Sequence, residues 1–204
     1  MNLTDVEAVL LDMDGTLVDT DRSVERAWTS WALEHGLEPE EVLAIAHGRP
    51  GEVTVRRLLP HLDEAAADAS TARLQAIQHA DMSGIVPGVG AAALLATLER
   101  RGLPWAVVTS ADARTAKASL AIADIAPPLL LTLDDVTHGK PDPEGYLTAA
   151  ARLGVDPARC LVVEDTAPGV AAGKAAGAVV AALKGVPADL AIDDLERLAA
   201  LLGA

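Results

Sequence analysis

Aromatic side chains and cysteine are scarce in this chain of 204 residues, which has no phenylalanine, one tyrosine, three tryptophans and one cysteine. Half of the residues are hydrophobic even so. Most of these are alanine, leucine or valine, and we therefore expect a core of small aliphatic side chains. The single cysteine, Cys160, cannot form an intramolecular disulfide, so nothing in the sequence requires an oxidising compartment.

The sequence also shows no basic, apolar leader at its start and no apolar run that approaches the length of a membrane span. Its formal net charge is −14 at pH 7, which disfavours binding to nucleic acid or to an anionic membrane surface. We therefore expect a cytoplasmic protein without nucleic-acid or membrane partners. No apolar seam requires self-association, and we expect a monomer or a weak homodimer.

Two aspartates follow the first apolar run of the chain. Residues 9–11 are typical of a buried parallel strand, Asp12 and Asp14 come directly after it, and Gly15 allows the backbone to turn. Open α/β sheets bind ligands beyond the carboxyl ends of their strands. Two carboxylates so close together repel each other unless a cation lies between them or one keeps a proton, and Mg²⁺ suits such oxygen ligands. The alternative is a simple Asx-type turn that closes the strand.

Three later segments carry further candidate site residues. A predicted strand ends in Thr109 and Ser110, which can donate hydrogen bonds to a phosphate oxygen or cap the following helix. Lys140 lies between a glycine and a proline that fix its backbone, so its ammonium can be aimed at developing negative charge; otherwise it is an ordinary surface lysine. Glu164 and Asp165 follow another apolar strand, where they complete a cation site or cap the next helix.

These four segments resemble, in order, the four motifs of the haloacid dehalogenase-like (HAD) hydrolase superfamily. The sequence DMDGTLVDT resembles the nucleophile motif, TS the phosphate-binding residues, GKPDP the lysine motif and VVEDT the acidic metal motif. The resemblance covers essentially the whole chain. It implies that Asp12 attacks a phosphoryl group and carries an aspartyl-phosphate, and that Asp14 protonates the leaving oxygen and then activates water. Thr109, Ser110 and Lys140 would hold the transferring group.

The same resemblance implies a cofactor and a class of substrate. Mg²⁺ would be held by Asp12, by Asp165 and by the backbone carbonyl of Asp14, with Glu164 acting directly or through water. The substrate would be a small phosphorylated metabolite. The metal-free dehalogenases of the superfamily lack a carboxylate at the position of Asp14, so dehalogenation is disfavoured.

We expect an α/β fold, with a Rossmann-like parallel sheet in a three-layer α/β/α core and an inserted all-helical cap domain. The core would comprise residues 1–19 and 84–204 and the cap residues 20–83, with hinges near residues 18–20 and 82–87. After the first strand, core strands are predicted at residues 105–109, 129–133, 160–164 and 178–182. Helices are predicted at residues 22–35, 39–46, 52–62 and 64–80 of the cap, and at residues 88–102 and 188–202 of the core.

The loop between the second and third predicted cap helices carries candidate substrate-binding residues, His47, Arg49 and Glu52. Arg49 can pair with a sugar or polyol hydroxyl or with phosphate, and the other two can add hydrogen bonds. The alternative is that Arg49 and His47 are solvated loop residues. Together with the motifs, this loop most resembles sugar-phosphate and glycerol-phosphate phosphatases, and we interpret the chain as a hydrolase of a small sugar or polyol phosphate.

Two other functions remain open. Mutases of the β-phosphoglucomutase group share the fold and all four motifs, but Val24 stands where they carry a histidine, and no lysine precedes Lys117 to match their cap lysine. A non-catalytic binding protein on the same scaffold would be expected to have lost part of the catalytic set. Here the whole set is present, namely Asp12, Asp14, Lys140 and Asp165.

Overall fold

The structure is a computed structural model, and it describes residues 3–46 and 49–203. The chain divides into two compact units, one formed by Met1–Asp19 and Val86–Ala204, the other by Thr20–Ile85. In chain order the strands are β1 (Ala8–Leu11), β2 (Val18–Asp19), β3 (Val86–Pro87), β4 (Trp105–Val108), β5 (Leu130–Leu131), β6 (Cys160–Glu164), β7 (Val179–Ala182) and β8 (Leu190–Ala191). The helices are α1 (Asp21–Glu34), α2 (Pro39–Ala46), α3 (Gly51–Leu58), α4 (Glu64–Ala80), α5 (Ala91–Arg101), α6 (Ala113–Ile122), α7 (Glu144–Leu153), α8 (Ala167–Ala175) and α9 (Leu195–Gly203).

A six-stranded parallel sheet forms the centre of the first unit, in the order β5-β4-β1-β6-β7-β8. The central strand β1 is buried along its whole length, which explains its uninterrupted apolar sequence. Helices lie on both sides of the sheet: α7 and α8 pack on one side against small aliphatic residues such as Leu10 and Val162, and α5 packs against α9. This architecture confirms the predicted α/β fold class and the predicted aliphatic core.

A two-stranded antiparallel ribbon joins the sequence segments that flank the second unit. β2 pairs with β3, with Val18 opposite Pro87. Gly88 continues the contact, because its N–H donates to the Leu17 carbonyl oxygen at 2.9 Å. The sequence predicted hinges in these segments but not their pairing, since strands of two residues carry no readable alternation.

The prediction of the last helix, at residues 188–202, is wrong for the first half of that range. Leu190–Ala191 form β8 instead, and α9 begins only after it. The Ile192 N–H donates to the Ala182 carbonyl oxygen at 3.0 Å, so this segment adds to the sheet beside β7. Asp194 then accepts a hydrogen bond from the Arg197 N–H at 2.7 Å, which satisfies a main-chain donor at the start of the helix.

Other boundaries differ by a few residues from those predicted. α3 ends at Leu58, because Pro60 disfavours a helical backbone at the residue before it. α5 begins at Ala91, after Gly90 has taken a φ of 81°. The strand expected at residues 129–133 is reduced to the two residues of β5.

The second unit packs α1–α4 around two of the three tryptophans. The rings of Trp28 and Trp31 meet edge to face with centroids 5.3 Å apart, an arrangement worth about 0.5–1.5 kcal/mol beyond burial. Trp31 Nε1 donates to the Ser70 carbonyl oxygen at 3.2 Å, so the buried indole is satisfied. The other buried apolar residues of this cluster are Ala27, Ala32, Val42, Ala46, Val55, Leu59 and Leu74. In neither unit do the described helices combine the length and apolar character that a bilayer span needs.

Candidate active site

Three predicted site segments converge at one edge of the sheet, because β4, β1 and β6 are neighbours. The end of β1 lies opposite Val107 of β4 and Val163 of β6. Asp12, Thr109 and Asp165 follow these three strands. The carboxyl ends of parallel strands are the usual place for a ligand in an open α/β sheet.

The ammonium of Lys140 lies between two buried carboxylates. Its Nζ donates to Asp12 Oδ1 at 2.5 Å, to Glu164 Oε1 at 2.6 Å and to the Val108 carbonyl oxygen at 3.0 Å. The side chains of Lys140, Asp12 and Glu164 are 10%, 9% and 0% exposed. A buried ammonium with three acceptors holds both carboxylates in fixed positions.

Burial and the neighbouring charges together shift the pKa values of these three groups. Burial, followed by the negative charge of Glu164, raises the pKa of Asp12 well above its ordinary value. Burial disfavours the charged form of Lys140 and by itself would lower its pKa. The negative charges of Asp12 and Glu164 outweigh this effect and raise the pKa of Lys140 well above its ordinary value. Burial by itself would raise the pKa of Glu164, but the positive charge of Lys140 outweighs this effect and lowers the pKa of that carboxyl. Lys140 and Glu164 therefore stay charged at neutral pH, and an additional cation would favour the ionised form of Asp12.

Glu164 has both of its oxygens occupied by donors of the protein. Oε1 accepts from Lys140 and from the Tyr146 hydroxyl at 2.8 Å. Oε2 accepts from the Asp165 N–H at 3.1 Å and from Thr166 through its N–H at 3.2 Å and its hydroxyl at 2.9 Å. This pattern makes Glu164 a fixed anion that positions Lys140.

The helix after β6 begins against that carboxylate. Thr166 is the N-cap of α8, and its Oγ1 accepts from the Gly169 N–H at 3.2 Å. A Cβ on Gly169 would lie 1.8 Å from Glu164 Oε1, so only glycine allows this approach. The helix cap is therefore Thr166, and Glu164 and Asp165 do not serve as one.

Asp165 presents a buried oxygen that lacks a protein donor. Its Oδ2 lies 3.1 Å from Lys184 Nζ, whereas Oδ1 has no hydrogen-bond partner among the residues described. Burial raises the pKa of Asp165 and Lys184 opposes that rise. One oxygen each from Asp12, Glu164 and Asp165 lie within 4.8 Å of one another. Because a buried carboxylate oxygen needs a partner, this arrangement fits a divalent cation with oxygen ligands.

Gly15 allows the turn after β1 to pass close to Asp165. Its φ is 81°, and its N–H donates to the Val18 carbonyl oxygen at 2.8 Å. A Cβ at this position would lie 2.2 Å from Asp165 Oδ2 and 2.7 Å from Lys184 Nζ. The turn thus requires glycine both for its backbone conformation and for space.

Thr109 lies beside Asp14, and neither Thr109 nor Ser110 caps the next helix. Thr109 Oγ1 donates to Asp14 Oδ2 at 3.3 Å and accepts from the Ala111 N–H at 3.0 Å. Ser110 is half-buried and lines a small cavity of about 20 Å³ that Lys140 also lines. The N-cap of α6 is Asp112, whose side chain accepts from two N–H groups of the first turn. The cap alternative for Thr109 and Ser110 is therefore wrong.

The candidate substrate-binding residues of the cap belong to the second unit. Arg49 Nη1 donates to the Ile45 carbonyl oxygen at 2.8 Å, and Glu52 Oε1 accepts from Arg56 Nε at 3.2 Å. His47 lies outside the described residues. Within this unit, the described contacts of Arg49 and Glu52 are local ones, and their role toward a substrate stays a prediction.

Three residues of the site were not found from the sequence: Tyr146, Thr166 and Lys184. Tyr146 is the only tyrosine of the chain, and a tyrosine that is buried usually finds a hydrogen-bond partner for its hydroxyl. Thr166 precedes Ala-Pro-Gly, a pattern typical of a helix start. Lys184 has no such signal, because its contact with Asp165 depends on the neighbouring positions of β6 and β7.

Comparison with known proteins identifies the family to which the chain belongs. The family model of the haloacid dehalogenase-like hydrolases matches residues 6–177. Hexitol phosphatase A of Escherichia coli is 45% identical over 181 residues, which are 88% of this chain and 83% of that protein. 2-Deoxyglucose-6-phosphate phosphatase 1 of Saccharomyces cerevisiae is 34% identical over 83% of this chain and 76% of that protein. The crystal structure of CbbY from Rhodobacter sphaeroides in complex with phosphate matches with a TM-score of 0.80 and 26% identity, over 98% of this chain and 100% of that one.

The chain therefore belongs to the haloacid dehalogenase-like hydrolases, as its four motifs predicted. Within that family it is a phosphatase, and its curated relatives quoted above carry that name.

Gly15→Ala should cost this enzyme far more than Gly154→Ala. Both glycines have positive φ, so each substitution carries a backbone cost of about 1–2 kcal/mol. A Cβ on Gly154 meets nothing within 4 Å, whereas one on Gly15 collides with Asp165. Because displacing an active-site group by about 1 Å can lower a rate about a hundredfold, we expect at least that loss of phosphate release in Gly15→Ala alone. Equal turnover in the two variants, measured beside urea unfolding, would contradict the role given to this contact.

Proposed function

We propose that the chain is a Mg²⁺-dependent phosphatase of small sugar or polyol phosphates that acts through an aspartyl-phosphate on Asp12. The observation that carries the proposal is the buried cluster of Asp12, Glu164 and Asp165. Lys140 contacts the first two of these carboxylates. The sugar and polyol substrates are inferred from similarity to hexitol phosphatase A and to 2-deoxyglucose-6-phosphate phosphatase 1.

Asp12 is the proposed nucleophile. Lys140 binds its Oδ1, which fixes the carboxylate and favours its ionised form against the effect of burial. A carboxylate oxygen of Asp12 forms the new bond to phosphorus, and the bond from phosphorus to the sugar oxygen breaks. The same ammonium then lies beside the phosphoryl group, where positive charge stabilises the negative charge that develops.

Asp14 is the proposed acid and base. Its Oδ2 accepts from the hydroxyl of buried Thr109, which orients the carboxyl group. Protonated Asp14 gives its proton to the departing sugar oxygen, and the resulting carboxylate takes a proton from the water that hydrolyses the aspartyl-phosphate. When substrate binds, the Thr109 hydroxyl is proposed to turn from Asp14 to a phosphoryl oxygen, and Ser110 is proposed to donate a hydrogen bond to another.

Asp12, Asp165 and the backbone carbonyl of Asp14 are the proposed ligands of Mg²⁺. When bound, the ion supplies positive charge that stabilises the transferring phosphoryl group and offsets the carboxylates. The unpartnered Oδ1 of Asp165 supports its place among the ligands. Because the protein already donates to both oxygens of Glu164, we favour an indirect role for that residue, through water or through Lys140.

The cap residues and the cellular setting remain predictions. Arg49, His47 and Glu52 are proposed to bind hydroxyl groups of the substrate, which would distinguish sugars and polyols from other phosphomonoesters. A cytoplasmic location and a monomeric or weakly dimeric state likewise rest on the sequence.

Phosphate release from a panel of substrates tests the proposal. Hexitol, hexose and glycerol phosphates and nucleoside monophosphates are compared at equal concentration, with Mg²⁺ and with EDTA. We expect release concentrated on one or two sugars or polyols, a fall of about a hundredfold or more with EDTA, and recovery when Mg²⁺ is restored. Uniform release across the panel would contradict the substrate class, and release that persists in EDTA would contradict the cation site. Interconversion of a sugar 1-phosphate without net release would assign the chain to the mutases.

A further inference from the structure

Lys184 brings a second ammonium to the acidic cluster. It follows β7, and its Nζ lies 3.1 Å from Asp165 Oδ2. The same atom lies 2.7 Å from the position that a Cβ on Gly15 would take. Lys184 itself has a φ of 52°, a left-handed backbone conformation that is uncommon for residues with side chains. Such conformations persist where the surrounding structure requires them, and here one accompanies a lysine that points at a candidate metal ligand.

The two ammoniums of the site are held to different degrees. The side chain of Lys140 is 10% exposed and binds two carboxylates, so its departure would leave buried charges without a partner. The side chain of Lys184 is 44% exposed, so its ammonium can exchange the contact with Asp165 for water more readily than the buried ammonium of Lys140 can. Of the two positive charges, Lys184 is therefore the one that can leave the cluster.

We propose that Lys184 is a displaceable counter-ion that sets the affinity of the site for its divalent cation. In the metal-free protein its ammonium neutralises Asp165. When a cation binds Asp12 and Asp165, the Lys184 side chain withdraws into solvent. Cation binding must then overcome the lost Lys184–Asp165 ion pair and the repulsion between two positive charges. The inference rests on the cation site proposed above.

Binding of Mn²⁺ in the absence of substrate, followed by the EPR signal of the free ion, tests this role. Lys184→Met removes the ammonium, and we expect it to lower the Kd for Mn²⁺ by about three- to tenfold. Lys184→Gln should do the same, whereas Lys184→Arg, which keeps the charge, should stay within about twofold of the wild type. The matched control is Lys174→Met, because Lys174 is 46% exposed and pairs at 3.6 Å with Asp189, outside the site.

Thermal melting separates this role from a merely structural one. Without metal, Lys184→Met should melt at a lower temperature than the wild type. Saturating Mg²⁺ should raise the Tm of Lys184→Met by more than it raises the Tm of the wild type. If Lys184 only stabilised the fold, its replacement by methionine would lower the Tm by the same amount with and without Mg²⁺. If Lys184→Met binds Mn²⁺ no more tightly than Lys174→Met does, this inference is overturned but the cation site is not. A wild-type protein that binds no Mn²⁺ overturns the cation site and the inference together.

Discussion

Asp12→Asn should abolish phosphate release, by about four orders of magnitude or more, because it removes the proposed nucleophile. The same substitution should leave the free energy of unfolding unchanged or slightly higher. Burial and Glu164 raise the pKa of Asp12, so its ionised form costs the folded state free energy that a neutral amide avoids. The asparagine oxygen can still accept the hydrogen bond of Lys140. Loss of activity without loss of stability is therefore the expected signature.

Phosphate release and urea unfolding, measured on the same preparation, test both parts. The matched control is Asp68→Asn, since Asp68 is 61% exposed in a surface ion pair with Arg56, and such pairs contribute little. The control should retain full turnover. Turnover of Asp12→Asn within tenfold of the wild type would exclude Asp12 as the nucleophile.

Lys140→Met should be among the most destabilising single substitutions in this chain, by about 3–5 kcal/mol, because it leaves Asp12 and Glu164 buried without their shared cation. Phosphate release should fall strongly as well. The stability deficit should depend on pH. With Lys140 gone, one of the two carboxyls keeps a proton in the folded state, so its folded pKa lies above its unfolded value. The deficit is then largest at neutral pH and shrinks as the pH falls toward about 4, the unfolded pKa of a carboxyl group.

Urea unfolding at several pH values measures this deficit. Lys117→Met is the control for loss of a lysine, because Lys117 lies exposed on α6. In the double variant Lys140→Met with Glu164→Gln, only one of the two carboxylates remains, and part of the lost stability should return. If the two substitutions were simply additive, or if the deficit did not change with pH, the paired-charge account of the cluster would be wrong.

The residues that the sequence located best are those that directly follow a long apolar strand. Asp12, Thr109 and Asp165 end predicted strands, and in a parallel sheet the ends of neighbouring strands meet at one edge. That rule was sufficient to expect the α/β class and a common cleft. Lys140 was found differently, through the glycine and proline around it and through its likeness to a family motif.

The contact between Lys184 and Asp165 could not be predicted from the sequence, because it depends on the order of the strands in the sheet. Lys184 reaches Asp165 because β7 lies next to β6, and the spacing of residues along the chain does not state that order. The strand β8 was missed because three apolar residues between two aspartates carry no periodicity. Gly169 was readable as a helix residue, yet its closeness to Glu164 is a matter of tertiary packing.

The uneven distribution of tryptophan has a spectroscopic consequence. Trp28 and Trp31 are both buried in the helical unit, while Trp105 is half-buried in β4 of the sheet unit. Indole fluorescence therefore reports on the helical unit through a coupled pair and on the sheet unit through a single fluorophore. In a chain from which Trp105 has been removed, the remaining emission would follow the unfolding of residues 20–85 alone.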